Sequence, residues 1–178
     1  MPVLQIVRYP HDALSTPAEP VTTFDDALGA FIDDLAETMY AAQGVGLAAN
    51  QVADLRRVTV IDVAGPEDKA QLIELVNPEV IERSDETIVW DEGCLSFPEL
   101  FHNVTRAAKV RVRYQDRHGE THEVEGEGLF GVALQHEIDH LDGVCFTDRM
   151  TKLQRVKALR SFQLIMKRRR ADGLEPPA

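Results

Sequence analysis

The stretch Gln135 to Gly143, Q-H-E-I-D-H-L-D-G, constrains this chain more than any other. It places His136 and His140 four residues apart, with Glu137 directly after the first. On a helix, positions i and i+4 lie one turn apart on one face, so both imidazoles can reach a single point. A divalent metal takes two nitrogen ligands in that way, at about 2.0–2.1 Å each for zinc. Glu137 is turned about 100° around the axis from His136. It can border such a site without ligating, which suits a carboxylate that handles protons on a water. H-E-x-x-H also arises by chance, and helix histidines are commonly hydrogen-bonded core, so the motif needs support from the rest of the chain.

The flanks read as a helix. Gly126 and Gly128 open it, Leu129, Val132, Ala133 and Leu141 give it an apolar face, and Gly143 stands where a C-cap belongs. Two histidines leave a catalytic tetrahedral site one protein ligand short. Asp139 and Asp142 are candidates on the same helix. Cys94 is the better one: a thiolate binds zinc or ferrous iron strongly, and Cys94 sits in a glycine-containing stretch, Asp91 to Pro98, read as a loop. Cys145, between Val144 and Phe146, reads as a small buried hydrophobe.

Elsewhere the chain predicts an α+β fold of antiparallel or mixed sheets around the H-E-x-x-H helix. After an extended entry through Tyr9, Pro10, Pro17 and Pro20, Thr23 is expected to cap a helix running to about Ala42. Leu28, Phe31, Ile32, Leu35 and Met39 recur along it at helical spacing, and Gly44 supplies the stop. Gly44 to Gln51, G-V-G-L-A-A-N-Q, reads as a tight turn whose small residues admit a close neighbour. It lacks the third glycine of a dinucleotide fingerprint. Strands are expected at Arg57 to Val63, at Gln71 to Val76 (closed by Asn77-Pro78) and briefly at Thr87 to Trp90. A hairpin follows, Lys109 to Tyr114 and Glu120 to Glu125, turning at Asp116 to Gly119. Thr151-x-x-Gln154 is a capping box for a last helix with Leu153, Val156, Leu159, Phe162 and Met166 on one side.

No repeat or linker divides the 178 residues, so 1–178 reads as one domain, with 151–170 a C-terminal basic helix. The N-terminus shows no signal-peptide pattern and no apolar run approaches bilayer length, so a cytoplasmic protein is expected. Charge is unevenly placed: the net value is −11, yet Arg149 to Arg170 carries nine Lys or Arg and no acid. A basic tail on an acidic body points to an anionic partner.

Three motifs in this order and spacing, G-V-G-L-A-A-N-Q, E-G-C-L-S (Glu92 to Ser96) and Q-H-E-I-D-H, resemble those of the peptide deformylases, and the resemblance spans nearly the whole chain. It implies a hydrolase that removes formyl from the N-terminal formylmethionine of new polypeptides and releases formate. By that resemblance Cys94, His136 and His140 hold one divalent metal, with Fe2+ physiological and Zn2+, Ni2+ or Co2+ as other occupants. Ligand type alone would point to zinc. Glu137 is then the general base and acid for a metal-activated water, and the Gln51 amide and Leu95 N–H stabilise the oxyanion. Gly46 contacts the formyl end. Gly44, Val45, Glu92, Leu129, Val132, Ala133 and His136 surround the methionine side chain. Phe101 stands where some members carry an arginine at the cleft mouth.

The implied partners are formylmethionyl nascent peptides and the ribosome, the latter through the basic helix, with no membrane and no sequence-specific nucleic acid. Other classes fit less well. A copper electron carrier with two His and a Cys expects a weak axial Met, and none lies near Cys94 or in the H-E-x-x-H helix. A ribosome-binding module without activity would have lost Glu137, Gln51 or Cys94. A zinc peptidase is the nearest rival, separated by which product is released.

Overall fold

A computed structural model describes residues 3–65 and 68–175. The first helix, α1, spans Asp26–Ala41. Its cap is Asp25 rather than Thr23: the Asp25 carboxylate accepts from the Leu28 N–H at 2.9 Å, a bond the Thr23 side chain is two residues too early to make. Leu28, Ile32, Leu35 and Met39 face the core, as their spacing requires. At the other end the left-handed residue is Gln43, with φ 56°. The Gly44 N–H then closes back on the Met39 carbonyl at 3.0 Å, the longer bond of a Schellman turn.

Among the described residues seven strands follow: β1 Gly46–Ala48, β2 Val58–Ile61, β3 Ile73–Arg83, β4 Thr87–Cys94, β5 Phe97–Ala107, β6 Lys109–Gln115 and β7 Thr121–Glu127. They form a five-stranded sheet in the order β1-β2-β3-β6-β7 and a two-stranded sheet of β4 and β5. Every pairing between these strands is antiparallel. Helix α2, Gly128–Leu141, packs against strands of both sheets. Helix α3, Lys152–Ala171, lies on β5.

Four expectations are corrected. The small-residue stretch is not only a turn: Gly46 to Ala48 pair with β2, and Ala49–Val52 make a 3-10 turn. β3 does not stop at Asn77-Pro78. It crosses them with a register shift and Asn77 at φ 52°, so the proline sits where the ladder is already broken. Gly126 belongs to β7, and the helix opens at Gly128 (φ 58°). Most consequentially, Asp91 to Pro98 is no loop. β4 continues to Cys94 and turns within two residues into β5, a strand absent from the sequence reading.

Beyond its first turn, where Leu129 is exposed, α2 is buried all round. Every residue from Gly131 to Leu141 is shielded from solvent, where an ordinary surface helix buries one stripe. Leu134 and Ile138 pack with Ile61, Leu75, Val110 and Val112 of the large sheet. On the opposite side Phe97, Phe146, Phe162 and Met166 form the core beneath α3. The capping box stands: Thr151 Oγ1 accepts from the Gln154 N–H, whose side chain accepts from the Thr151 N–H at 3.0 Å. The buried face of α3 is Ala158, Phe162 and Met166. Leu153 and Val156, expected inside, are 66% and 50% exposed. Among the described residues no helix is long and apolar enough to cross a membrane.

Candidate active site

A helix buried on every side can carry Gln135, His136, Glu137, Asp139 and His140 only if each polar group is answered. Gln135 bonds the backbone of Ala107, donating to its carbonyl at 3.0 Å and accepting from its N–H at 3.1 Å. Asp139, weighed above as a ligand, is turned to two guanidinium groups, Arg106 Nη1 at 2.5 Å and Arg149 Nε at 3.0 Å. Asp142 pairs with Arg57 at 2.8 Å. Neither faces the histidines' sulfur partner.

That partner is Cys94, at the tip of the β4–β5 hairpin. Its Sγ lies 3.3 Å from His140 Nε2. The ligand atoms of Cys94, His136 and His140 all lie within 4.8 Å of one another. Sulfur and nitrogen on a shared tetrahedral zinc stand about 3.6 Å apart, given bonds of about 2.3 and 2.0–2.1 Å, so the three donors fit one cation. His136 Nδ1 is taken by Glu92 Oε2 at 2.8 Å, which turns its Nε2 inward.

Glu92 was expected to border the methionine side chain. It lines the same cavity, but its carboxylate is engaged by the His136 ring and by Arg106 Nε and Nη2, at 2.7 and 3.0 Å. Burial opposes its charge, yet Arg106 and His136 prevail and bring its pKa down to about 2. This orienting role was missed. The available signal was the strand period: Glu92 and Cys94, two apart on β4, share a face.

The remaining residues meet in one cavity of about 530 Å³. Gly44, Val45, Gly46, Leu129, Val132 and Ala133 line it, as do Gln51, Leu95, His136 and Glu137. His140 lies behind it, fully buried. Burial pushes the Glu137 carboxyl up to about 7, with Glu92 adding to the shift and His136 and Arg106 opposing it. Its Oε2 is buried without a protein partner. Gln51 is held by the Ala48 N–H, which donates to its Oε1 at 3.0 Å. Its Nε2 points at Cys94 Sγ, 3.5 Å, and Ser96 Oγ, 3.2 Å.

The two glycines make room for the protein's own side chains. A Cβ on Gly46 would stand 2.5 Å from Glu137 Oε1, and one on Gly44 would stand 2.6 Å from Leu95 Cδ1. Phe101 lies at the cavity edge, 64% exposed, with its ring over Gly93. Arg8 and Arg169, which the sequence reading did not single out, also line the cavity.

Comparison with known proteins gives one answer. The polypeptide deformylase family pattern matches residues 3–156. A peptide deformylase of Wolinella succinogenes is 45% identical over 175 residues, covering 97% of this chain and all of that protein. One from Acidobacterium capsulatum is 47% identical over 163 residues, 92% of this chain and 95% of that one. The crystal structure of a peptide deformylase from Legionella pneumophila superposes with a TM-score of 0.88 at 40% identity, covering 98% of this chain and 100% of that chain. With matches of this extent, and with the three motifs folded into one cavity, the chain belongs to the polypeptide deformylase family.

Proposed function

We propose that this deformylase hydrolyses the formamide of N-formylmethionyl peptides at the cavity between α2 and the β4–β5 hairpin, as a metal-dependent enzyme. One observation carries the reading: Cys94, His136 and His140 converge within 4.8 Å, and Glu137, with an unpartnered buried oxygen, faces the same cavity. The three donors would hold a divalent cation, Fe2+ by family resemblance with Zn2+, Ni2+ or Co2+ as alternatives, which when bound supplies Lewis acidity for activating water and polarising the formyl oxygen.

The chain's own residues do the rest. Glu137 takes a proton from the attacking water and delivers it to the amine nitrogen as the C–N bond breaks, a role worth roughly 10²–10⁴ in rate. The Gln51 Nε2 amide and the Leu95 N–H donate to the oxygen on which negative charge develops, each worth about 10²–10³. Gly46, lacking a side chain, lets the Glu137 carboxylate stand against its backbone at the formyl end, and that close wall leaves bulkier acyl groups to clash. Val45, Leu129, Val132 and Ala133 give the methionine side chain an apolar wall. Glu92 fixes the His136 ring through its Nδ1.

The site reaction belongs in the cytoplasm, on nascent chains. A ribosome contact through α3 is supported by exposed Lys152, Lys157, Arg160 and Lys167. By contrast Arg155, Arg168 and Arg169 are occupied by Asp148 and Glu99. The decisive assay loads anaerobically purified protein with each metal in turn and measures formate from formyl-Met peptides beside amino-acid release from unformylated ones. Formate alone is expected; amino-acid release alone would transfer the chain to the peptidases.

A further inference from the structure

The two groups assigned to the oxyanion come from different elements, Gln51 from a 3-10 turn and Leu95 from a hairpin tip, and something must fix their separation. The N-terminal segment lies across both. The Val7 N–H donates to the Gln51 carbonyl at 2.8 Å and the Tyr9 N–H to the Ser96 carbonyl at 3.1 Å. Between them Arg8 Nη1 donates to the Leu95 carbonyl at 2.7 Å. Three consecutive residues thus grip the backbone on either side of the site.

Arg8 is itself held from elsewhere. Its Nε lies 3.2 Å from both oxygens of Glu175. Only 5% of the Glu175 side chain is exposed, and it also receives Arg169 at 2.9 Å. Arg169 in turn donates to Glu99 of β5 at 2.7 Å. The charge-assisted bond from the Arg8 Nε–H is shared by both carboxylate oxygens, and a second guanidinium holds that carboxylate in turn. The Arg8 head is therefore clamped by the segment after α3 and, through Arg169, by the strand that follows the Leu95 turn.

We propose that Arg8 is a positioning residue: clamped by Glu175, it holds the Leu95 carbonyl and thereby sets the spacing between the Leu95 N–H and the Gln51 amide. A donor misplaced by about 1 Å costs on the order of 10²-fold in rate, so the clamp acts on turnover rather than on substrate affinity. The catalytic half of this inference rests on the deformylase reading above; the structural half, that Arg8 immobilises the Leu95–Ser96 turn, does not.

The test compares Arg8→Met, which keeps the stem and removes the guanidinium, with Arg8→Lys and Glu175→Gln, all metal-loaded. It measures kcat and KM for formate release from a formyl-Met tripeptide, and amide hydrogen exchange in residues 94–97 and in α2. Arg8→Met is expected to lower kcat about 10–100-fold with KM nearly unchanged and to speed exchange at 94–97 but not in α2. Arg8→Lys should recover part of the loss, and Glu175→Gln should fall between. Should Arg8→Met not fold, Glu175→Gln makes the same comparison with a smaller loss. Wild-type kcat, a rise in KM alone (Arg8 touching substrate instead), or exchange that is unchanged at 94–97 or faster throughout would each overturn the proposal. If even the parent protein released no formate, the deformylase reading would fail, and the exchange data would still judge the clamp.

Discussion

At Gly46 the absence of one methyl group decides where the Glu137 carboxylate can stand. A Cβ there would sit 2.5 Å from Glu137 Oε1 and 2.8 Å from its carboxyl carbon, inside any real contact distance. Gly46→Ala should therefore retain metal and fold but lose turnover, because the displaced carboxylate no longer meets the water; unchanged kcat would show that the strand yields instead. Glu137→Ala should cost roughly 10²–10⁴ in kcat with metal content preserved, read by formate release beside elemental analysis. Cys94→Ala and His136→Ala belong to a different class. Each removes a ligand atom from a cluster within 4.8 Å, so metal content itself should fall, and full occupancy in either would strike that residue from the ligand set.

Elements differ in how openly their sequences declare them. α1 and α2 were legible because apolar residues recur at helical spacing, and the H-E-x-x-H pair needed only that spacing to share a face. β5 was not legible. Its buried set after the turn is Leu100, Val104 and Arg106, in phase with one another, whereas Phe97 is out of phase. The break falls at Glu99, whose φ of 63° inserts a kink and shifts the alternation by one. A buried arginine within the inward row hid the pattern further. The consequence reached the site, since Cys94 was placed on a loop when it ends a strand. α3 forms with Phe162 and Met166 inside, as its spacing predicts, but its first turns differ: Leu153 and Val156 point outward despite their apolar chemistry. β5 and α3 meet at Phe97, whose ring lies 5.0 Å from Phe162 and 5.3 Å from Phe146. Phe97→Ala should destabilise by about 3–5 kcal/mol, measured by denaturant unfolding, and a loss under 1 kcal/mol would mean the hairpin and α3 pack independently.

For the whole molecule, charge and metal are the variables to change. Removing α3 entirely would strip Phe162 and Met166 from the core, so truncation cannot separate ribosome contact from instability. Replacing exposed Lys157, Arg160 and Lys167 with Gln leaves the buried face alone. Ribosome association should weaken and its salt dependence should flatten, with catalysis on free peptide unchanged; equal binding by cosedimentation would reduce the basic face to solvated surface. Metal should raise the melting temperature, since a ligand at 100 times its Kd adds about 2.7 kcal/mol to the folded state. A melting curve indifferent to metal and chelator would count against the Cys94–His136–His140 assignment.

The burial of α2 on every side also bears on how an ion would be exchanged. His140 sits fully buried on that helix, whereas Cys94 is partly exposed on the cavity wall, at a hairpin tip that the N-terminal segment holds in place. Reagents entering the cavity would meet the sulfur before the His140 ring. Oxidants that attack sulfur would then strip the site without unfolding the protein, leaving two rings still aimed at the place the metal had occupied.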